Sequence, residues 1–121
     1  SGMEQVNCRL LIVEDDTALA ALLEEYLSEA NYTVRVCHDG KTALDSLNHE
    51  PFDLVLSDII LPDISGLSVL QKARGEPAHT LVILMTGYSS IDDVLHAIEQ
   101  GAYDFVNKPF QLPEIRIRLD N

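Results

Sequence analysis

The chain has 121 residues, 46% of them hydrophobic and 23% charged, which is the composition of one globular domain and excludes a second. No apolar run approaches the ~20 residues of a membrane-spanning helix. Twenty acidic against eight basic residues give a formal net charge of −12, which argues against nucleic-acid binding by this segment and favours metal cations or basic partners.

The first three residues, Ser-Gly-Met, resemble the remnant of a cleaved tag, so the predicted domain covers residues 4–121. Cys8 and Cys37 show neither a zinc-site spacing nor the pattern of a secreted disulfide framework. We therefore expect both to be reduced, buried side chains of a cytoplasmic protein.

Strand-like and helix-like hydrophobic periods alternate along the chain. Five apolar runs predict strands over residues 8–13, 32–37, 52–57, 80–85 and 103–107. Several of these runs are apolar on both faces, as strands covered by helices on both sides should be. The first helix should begin after an N-cap at Asp16 or Thr17 and end at Asn31 in the left-handed conformation.

The remaining helical patterns follow in order. The second surrounds residues 43–47 and ends before Pro51, and the third begins after an N-cap at Ser65 and ends before Gly75. The fourth begins close to a capping box at residues 90–93 and stops at Gly101. One face of this fourth helix carries four apolar residues, Ile91, Val94, Leu95 and Ile98. The fifth begins near residue 112 and is cut off at the chain end.

This alternation predicts a doubly wound α/β fold. Right-handed crossovers would build a five-stranded parallel sheet, in the order 2-1-3-4-5, with helices on both faces. Because the last helix is cut off, we expect a piece of a longer protein whose next domain is absent from this sequence.

Polar residues follow four of the predicted strands at their carboxyl ends. Glu14, Asp15 and Asp16 follow the first strand and Asp58 the third, while Thr86 and Lys108 follow the fourth and fifth. Ligands of an open α/β sheet bind outside these ends, where the strand order reverses. With the order 2-1-3-4-5, Glu14, Asp15 and Asp58 would share one crevice.

Neighbouring carboxylates repel each other unless a cation neutralises them. Oxygen ligands on a partly open site suit Mg²⁺. One carboxylate could then act as a nucleophile toward phosphorus, with Lys108 and the Thr86 hydroxyl binding the charged oxygens.

Each of these residues also has an ordinary structural interpretation. A single acid after a strand, such as Asp58 or Asp16, is most often an N-cap or turn residue, and we interpret Asp63 as one. Thr86 and Lys108, taken singly, are typical of turns and loops. The coincidence of four strand ends favours a site.

Together these motifs resemble the receiver domains of two-component response regulators. The match covers residues 9–119: "LLIVEDD" resembles the acidic pair, "LSDIILPDISGL" the phosphoacceptor motif, "ILMTGY" the hydroxyl motif and "DFVNKPF" the lysine-proline motif. Two positions depart from the family pattern, with Leu61 in place of Met and Ser65 in place of Asp. Neither change should prevent phosphorylation, because Leu conserves volume and Ser still caps a helix.

The resemblance implies a role for each matching residue. These roles are the phosphoacceptor, Asp58; direct Mg²⁺ ligands, Asp15 and Asp58; a ligand through water, Glu14; a carbonyl ligand, Ile60; and phosphoryl-oxygen ligands, Thr86 and Lys108. It also implies an aromatic switch at Phe105 and a cis Lys108–Pro109 peptide. In the family, the positions of Ile60 and Tyr88 tune attack of water on the phosphoaspartate. An aliphatic Ile60 cannot orient water, so we predict slow self-dephosphorylation.

The implied function is a signalling switch rather than an enzyme. A sensor histidine kinase would phosphorylate Asp58, and the face formed by helix 4, strand 5 and helix 5 would then change partner, toward a homodimer or an output domain acting in transcription. The segment "MTGYSSIDDVLHAIEQGAYDFVNKPF" resembles receivers of nitrogen-control regulators coupled to an AAA+ ATPase, while receivers fused to histidine kinases are the alternative.

Two other interpretations belong to different classes. A phosphatase of the haloacid-dehalogenase type also forms an aspartyl phosphate, but its nucleophile lies in an Asp-x-Asp pair after the first strand, where this chain has Glu14, Asp15 and Asp16. A degenerate receiver would only bind partners. The complete set of acids, Thr86 and Lys108 argues against it.

Overall fold

The computed structural model describes residues 7–75, 79–87 and 91–121, and these residues form strands and helices in strict alternation. The strands are β1 (Cys8–Val13), β2 (Tyr32–Cys37), β3 (Leu54–Asp58), β4 (Leu81–Thr86) and β5 (Asp104–Asn107). The helices are α1 (Thr17–Glu29), α2 (Gly40–His49), α3 (Gly66–Arg74), α4 (Ile91–Glu99) and α5 (Leu112–Asp120). Within these ranges, no helix is long and apolar enough to cross a membrane.

The strands form one parallel sheet in the order β2-β1-β3-β4-β5, which confirms the predicted topology. The first two strands have the predicted limits. The third and fourth begin one or two residues later than predicted and extend by one residue to include Asp58 and Thr86. These polar residues still pair in the sheet, Asp58 with Met85 and Thr86 with Asn107, so the strands hold them rigidly.

Each face of the sheet has its own apolar core. Leu11 and Val13 of β1 belong to the core that contains residues of α2 and α3, and Leu10 and Ile12 to the core that contains residues of α1 and α5. All four are fully buried, because alternate side chains of a strand point to opposite faces and both faces are covered. Both cysteines were predicted to be buried. The prediction is correct for Cys37 but wrong for Cys8, which begins strand β1 and is only partly buried.

Local sequence signals set the helix ends. The Asp16 carboxylate accepts hydrogen bonds from the N–H groups of Ala18 and Leu19, both 3.1 Å, so Asp16 rather than Thr17 is the N-cap of α1. Asn31 has φ 72° and Gly101 has φ 97°, the left-handed conformations that follow α1 and α4. Ser65 caps α3 by accepting from Leu67 N at 3.1 Å. The capping box predicted for α4 includes Ser90, which lies outside the described residues.

Helix α4 exposes most of its apolar face. Ile91, Leu95 and Ile98 are 70%, 51% and 50% exposed, whereas the small Ala97 is the residue of α4 that is buried. The apolar face that the sequence shows is therefore not the face that packs on the sheet. An apolar surface of this kind on a domain is typical of a contact with a partner.

Helix α5 is fixed at its last turn. The Tyr32 hydroxyl, at the start of β2, donates to Asp120 Oδ1 at 2.6 Å. Burial, together with the hydrogen bond to Asp120 and its negative charge, raises the pKa of Tyr32. The end of α5 thus lies beside the amino end of β2.

Gly66→Ala should destabilise the domain by about 3 kcal/mol or more. A Cβ at Gly66 would lie 2.1 Å from the carbonyl oxygen of Asp58 and 2.8 Å from Cα of Ile59, and both are backbone atoms that cannot move aside cheaply. Gly75→Ala is the control, because its Cβ would meet only ordinary contacts from 3.5 Å; we expect a change within about 0.5 kcal/mol. Urea unfolding of both variants measures the difference, and equal stability would contradict the close packing behind Asp58.

Candidate functional site

A pocket of about 710 Å³ opens at the carboxyl edge of the sheet, at the point where the strand order reverses. Its lining includes charged residues, which are Glu14, Asp15, Asp16, Asp58 and Lys108, and apolar residues, which are Leu19, Ile60, Pro109 and Phe110. The pocket lies where the topology predicts a ligand site.

The three predicted acids meet in this pocket. One carboxylate oxygen each of Glu14, Asp15 and Asp58 lies within 4.8 Å of the others. Glu14 is fully buried and Asp58 is 7% exposed, while Asp15 is exposed to solvent. Among the described residues this is the cluster of His, Cys, Asp and Glu side chains that could hold a metal ion.

Lys108 links two of the acids. Its Nζ donates to Oε1 of Glu14 and, at 2.5 Å, to Oδ2 of Asp58. Burial raises the pKa of Glu14, and although hydrogen bonds from Lys108 and from Asp16 N oppose this, the net direction is upward. Burial alone would lower the pKa of Lys108, but the bonds to Asp58 and Glu14 outweigh it and raise the pKa. The lysine therefore stays charged and partly neutralises the acids.

The Asp58 side chain is held at both oxygens. Oδ1 accepts from the Ile60 N–H at 3.0 Å, and Oδ2 accepts from Lys108. The Ile60 side chain is 54% exposed and lines the pocket beside this carboxylate. Ile60 also pairs with Ser65 in an isolated antiparallel bridge, which fixes the turn after β3.

Thr86 is not directed at the acids. Its hydroxyl donates to Oδ1 of Asn107 at 2.8 Å, on the neighbouring strand β5. Phe105 is partly buried and packs on the core that contains α2 and α3 residues. Neither of the two predicted switch residues, Thr86 and Phe105, is among the residues that line the pocket, and their roles stay predictions. Tyr88 lies outside the described residues.

The Lys108–Pro109 peptide is cis, as the resemblance implied. Backbone N–H of Lys108 donates to the Thr86 carbonyl at 2.6 Å, which joins the ends of β4 and β5 beside the pocket.

Sequence reasoning missed two side chains near the site. Asn107 binds the Thr86 hydroxyl; its signal was a polar residue ending an apolar strand, as at Asp58. His38 lies within hydrogen-bond distance of the Glu14 carbonyl, Nδ1 to O 2.9 Å. No spacing or period in the sequence points to that contact.

The fold and the pocket define an α/β domain with an acidic site at the switch point of a parallel sheet. The chain matches the response regulator receiver domain family over residues 10–120, and it belongs to that family. It is therefore a receiver domain of two-component signalling systems.

Individual relatives agree with this assignment. The chain is 39% identical over 110 residues to the uncharacterized transcriptional regulatory protein YkoG of Bacillus subtilis, a match that covers 91% of this chain and 48% of YkoG. The chain spans about half, or less, of the length of the curated relatives it matches. Relatives of this kind carry the names of regulators rather than of enzymes.

Solved receiver structures have the same fold. A CheY-like receiver domain protein from Methanospirillum hungatei superposes with a TM-score of 0.91 at 30% identity, covering 95% of this chain and 92% of that chain. A response regulator from Burkholderia pseudomallei, described with a phosphorylated aspartic acid, a calcium ion and citrate, gives 0.84 at 28% identity, covering 93% of this chain and 66% of that one.

Proposed function

We propose that Asp58 accepts a phosphoryl group from a sensor histidine kinase while Mg²⁺ occupies the acidic pocket. The observation that carries this proposal is the grouping of Asp58 with Glu14 and Asp15 within 4.8 Å, with Lys108 bound to two of the three. This grouping would not be expected if Asp58 were only a turn residue, because a turn residue does not require two further acids and a lysine beside it.

The donor set fits Mg²⁺. All candidate ligands are oxygen atoms, one of them exposed, on an open pocket in which Mg²⁺ could keep several waters. Asp15 and Asp58 are the proposed direct ligands, Glu14 would contact the ion through water, and the Ile60 carbonyl would complete the protein ligands. When bound, the ion would neutralise charge on the phosphoryl oxygens. The Burkholderia relative supports a cation here, since its description includes calcium and a phosphorylated aspartic acid.

The protein residues have simple roles in the transfer. A carboxylate oxygen of Asp58 forms the new O–P bond as the N–P bond of the phosphohistidine breaks, and the leaving imidazole keeps the electron pair. The hydrogen bond from Ile60 N orients the nucleophile. Lys108 is within reach to bind phosphoryl oxygens once its bond to Asp58 is exchanged.

Phosphorylation would act on the residues next to the pocket. A phosphoryl group at Asp58 offers the Thr86 hydroxyl a charged acceptor in place of Asn107, and the space vacated by Thr86 could accept Phe105. The exposed apolar residues of α4 make the α4/β5/α5 face the proposed surface for a homodimer or an output domain. A structure with a bound phosphate mimic in which Phe105 has not moved would contradict this switch.

The output that we propose is control of transcription by a further domain of a cytoplasmic regulator, since several relatives are named transcriptional regulatory or activator proteins. The resemblance to nitrogen-control receivers coupled to an AAA+ ATPase remains a prediction about that domain.

Labelling tests the proposed function. Incubation with acetyl phosphate and Mg²⁺ should add the mass of one phosphoryl group, and peptide analysis should place it on Asp58. Catalytic turnover of a phosphate ester would instead favour a phosphatase of the haloacid-dehalogenase type. Absence of labelling, with the fold intact, would favour a degenerate receiver.

Ile60→Asn should accelerate loss of the phosphoryl group by about tenfold. The half-exposed Ile60 side chain lies beside Asp58 and offers attacking water no hydrogen-bond partner, whereas the Asn amide could hold one. Decay of the phosphorylated protein, followed by intact mass, gives the rate. Ile117→Asn, at another exposed isoleucine on α5, should leave it unchanged, and an unchanged rate in Ile60→Asn would refute the explanation.

A further inference from the structure

The connection formed by residues 38–41, which joins β2 to the first turn of α2, contacts the loops that follow β1 and β3. At one end, Nδ1 of His38 is 2.9 Å from the carbonyl oxygen of Glu14, in the loop after β1. At the other end, the N–H groups of Gly40 and Lys41 each donate to the Asp63 carboxylate at 2.9 Å. Asp63 belongs to the loop that follows Asp58. The connection therefore contacts both the loop that carries Glu14 and Asp15 and the loop that follows Asp58.

The contact with Glu14 completes the backbone bonding of that residue. Glu14 N–H donates to the Cys37 carbonyl at 3.0 Å, and its own carbonyl faces His38. Because a carbonyl oxygen can only accept, Nδ1 of His38 must carry the hydrogen. Both polar backbone groups of Glu14, the residue immediately before Asp15, are thus bound by Cys37, the last residue of β2, and by His38, which follows it.

The orientation of the Asp15 carboxylate depends on this peptide. Asp15 is exposed, so packing does not fix its side chain, yet one of its oxygens lies within 4.8 Å of those of Glu14 and Asp58. A change in ψ of Glu14 would turn the Glu14 carbonyl away from His38 and would move Asp15, with its side chain, relative to the other two acids. The His38 hydrogen bond opposes that rotation.

The other end of the connection is anchored. Burial alone would raise the pKa of Asp63, but the backbone N–H groups of Gly40, Lys41 and Ile64 lower it overall, so the carboxylate that binds them is ionised at neutral pH. A Cβ at Gly40 would lie 2.3 Å from Cγ1 of Ile64, so the first turn of α2 packs closely against the loop that contains Asp63. The backbone that carries His38 is consequently held in place by these contacts.

We propose that His38 is a positioning residue for the metal site: its Nδ1–H holds the Glu14 carbonyl and thereby keeps Asp15 facing Glu14 and Asp58. This inference rests on the proposed function, in which those acids bind Mg²⁺. Hydrogen bonds to the groups that hold a metal's ligands commonly contribute 10–100-fold to its affinity.

Calorimetric titration with Mg²⁺ tests the proposal, since the chain has no tryptophan to report binding. His38→Leu, which has no donor, should bind Mg²⁺ about tenfold more weakly. His38→Asn places an amide N–H where Nδ1 lies and should restore binding to within about twofold of the original protein. His49→Leu is the matched control, because His49 has the same kind of contact, Nδ1 to the Asp45 carbonyl at 2.7 Å, at the far end of α2.

A second measurement separates this inference from the proposed function. In protein without Mg²⁺, the Asp16 amide, which donates to the Glu14 carboxylate at 3.0 Å, should exchange its hydrogen faster in His38→Leu but not in His38→Asn. If the original protein binds no Mg²⁺, the proposed function fails while this exchange result still decides whether His38 holds the loop. Equal Mg²⁺ affinity in His38→Leu and the original protein, or an equal loss in His49→Leu, would overturn the proposal. Should His38→Leu not fold, His38→Ala gives the same comparison.

Discussion

Asp58→Asn is expected to reduce phosphoryl incorporation from acetyl phosphate by at least ~10³-fold, the scale seen when a covalent nucleophile is removed. The amide cannot supply the negatively charged oxygen that forms the O–P bond. It also removes one of the three carboxylates of the pocket, so Mg²⁺ affinity should fall in the same variant. Intact-mass spectrometry after a fixed incubation measures incorporation, and calorimetry measures Mg²⁺ binding.

Asp45→Asn is the control for this experiment. Asp45 lies on α2, outside the pocket, and its side chain is 73% exposed. The substitution makes the same chemical change, from a carboxylate to an amide, as Asp58→Asn. It should be phosphorylated like the original protein. Incorporation that persists in Asp58→Asn, with the label on Asp15 or on any other residue, would refute the assignment of Asp58.

Lys108→Met should lower the free energy of unfolding, without Mg²⁺ at neutral pH, by about 3–5 kcal/mol. The lysine binds Glu14, which is fully buried, and Asp58, which is nearly so. Methionine has a similar length but no charge, so it would leave the two buried carboxylates without a counterion. Lys41→Met, at an exposed lysine, should change stability by less than about 0.5 kcal/mol. Urea unfolding gives both values.

The pH dependence of this variant has a definite sign. Burial and the charge of Asp58 already raise the pKa of Glu14, and removing Lys108 takes away two of the interactions that lower it. A carboxyl with a raised pKa binds its proton more tightly in the folded state, so folding gains stability as the pH falls. Lys108→Met should therefore gain more stability than the original protein does as the pH falls from neutral toward the ordinary pKa of a glutamate. A variant that is as stable as the original, or whose stability falls over this range, would contradict the role of Lys108 as the counterion of Glu14.

Most of the fold, and the part of the site formed by the acids and Lys108, could be predicted because local sequence signals determine them. The change from a period of two to a helical period locates each element, and parallel strands bring their carboxyl ends to one edge. Glu14, Asp15, Asp58 and Lys108 meet in the pocket for that reason alone.

The remaining features, chiefly hydrogen bonds between polar groups far apart in the sequence, depend on which groups the folded chain brings together. Thr86 could donate to several acceptors at the sheet edge, and in the structure it selects Asn107, 21 residues away. His38 and Asp63 form bonds to backbone groups over 24, 23 and 22 residues, and such bonds have no sequence period. The rotation of α4 also escaped prediction, because a hydrophobic period shows which residues share a face but not whether that face meets the sheet.

The hydrogen bond from Tyr32 to Asp120 means that helix α5 is held in place at its last turn as well as at its start. The first turn of α5 follows Phe110, which lines the pocket at the carboxyl edge of the sheet. The nine residues of the helix then run about 14 Å toward the amino end of β2, where Tyr32 binds the last turn. A change in the pocket that displaced Phe110 would therefore be expected to move α5 as a whole, including the last turn beside Tyr32.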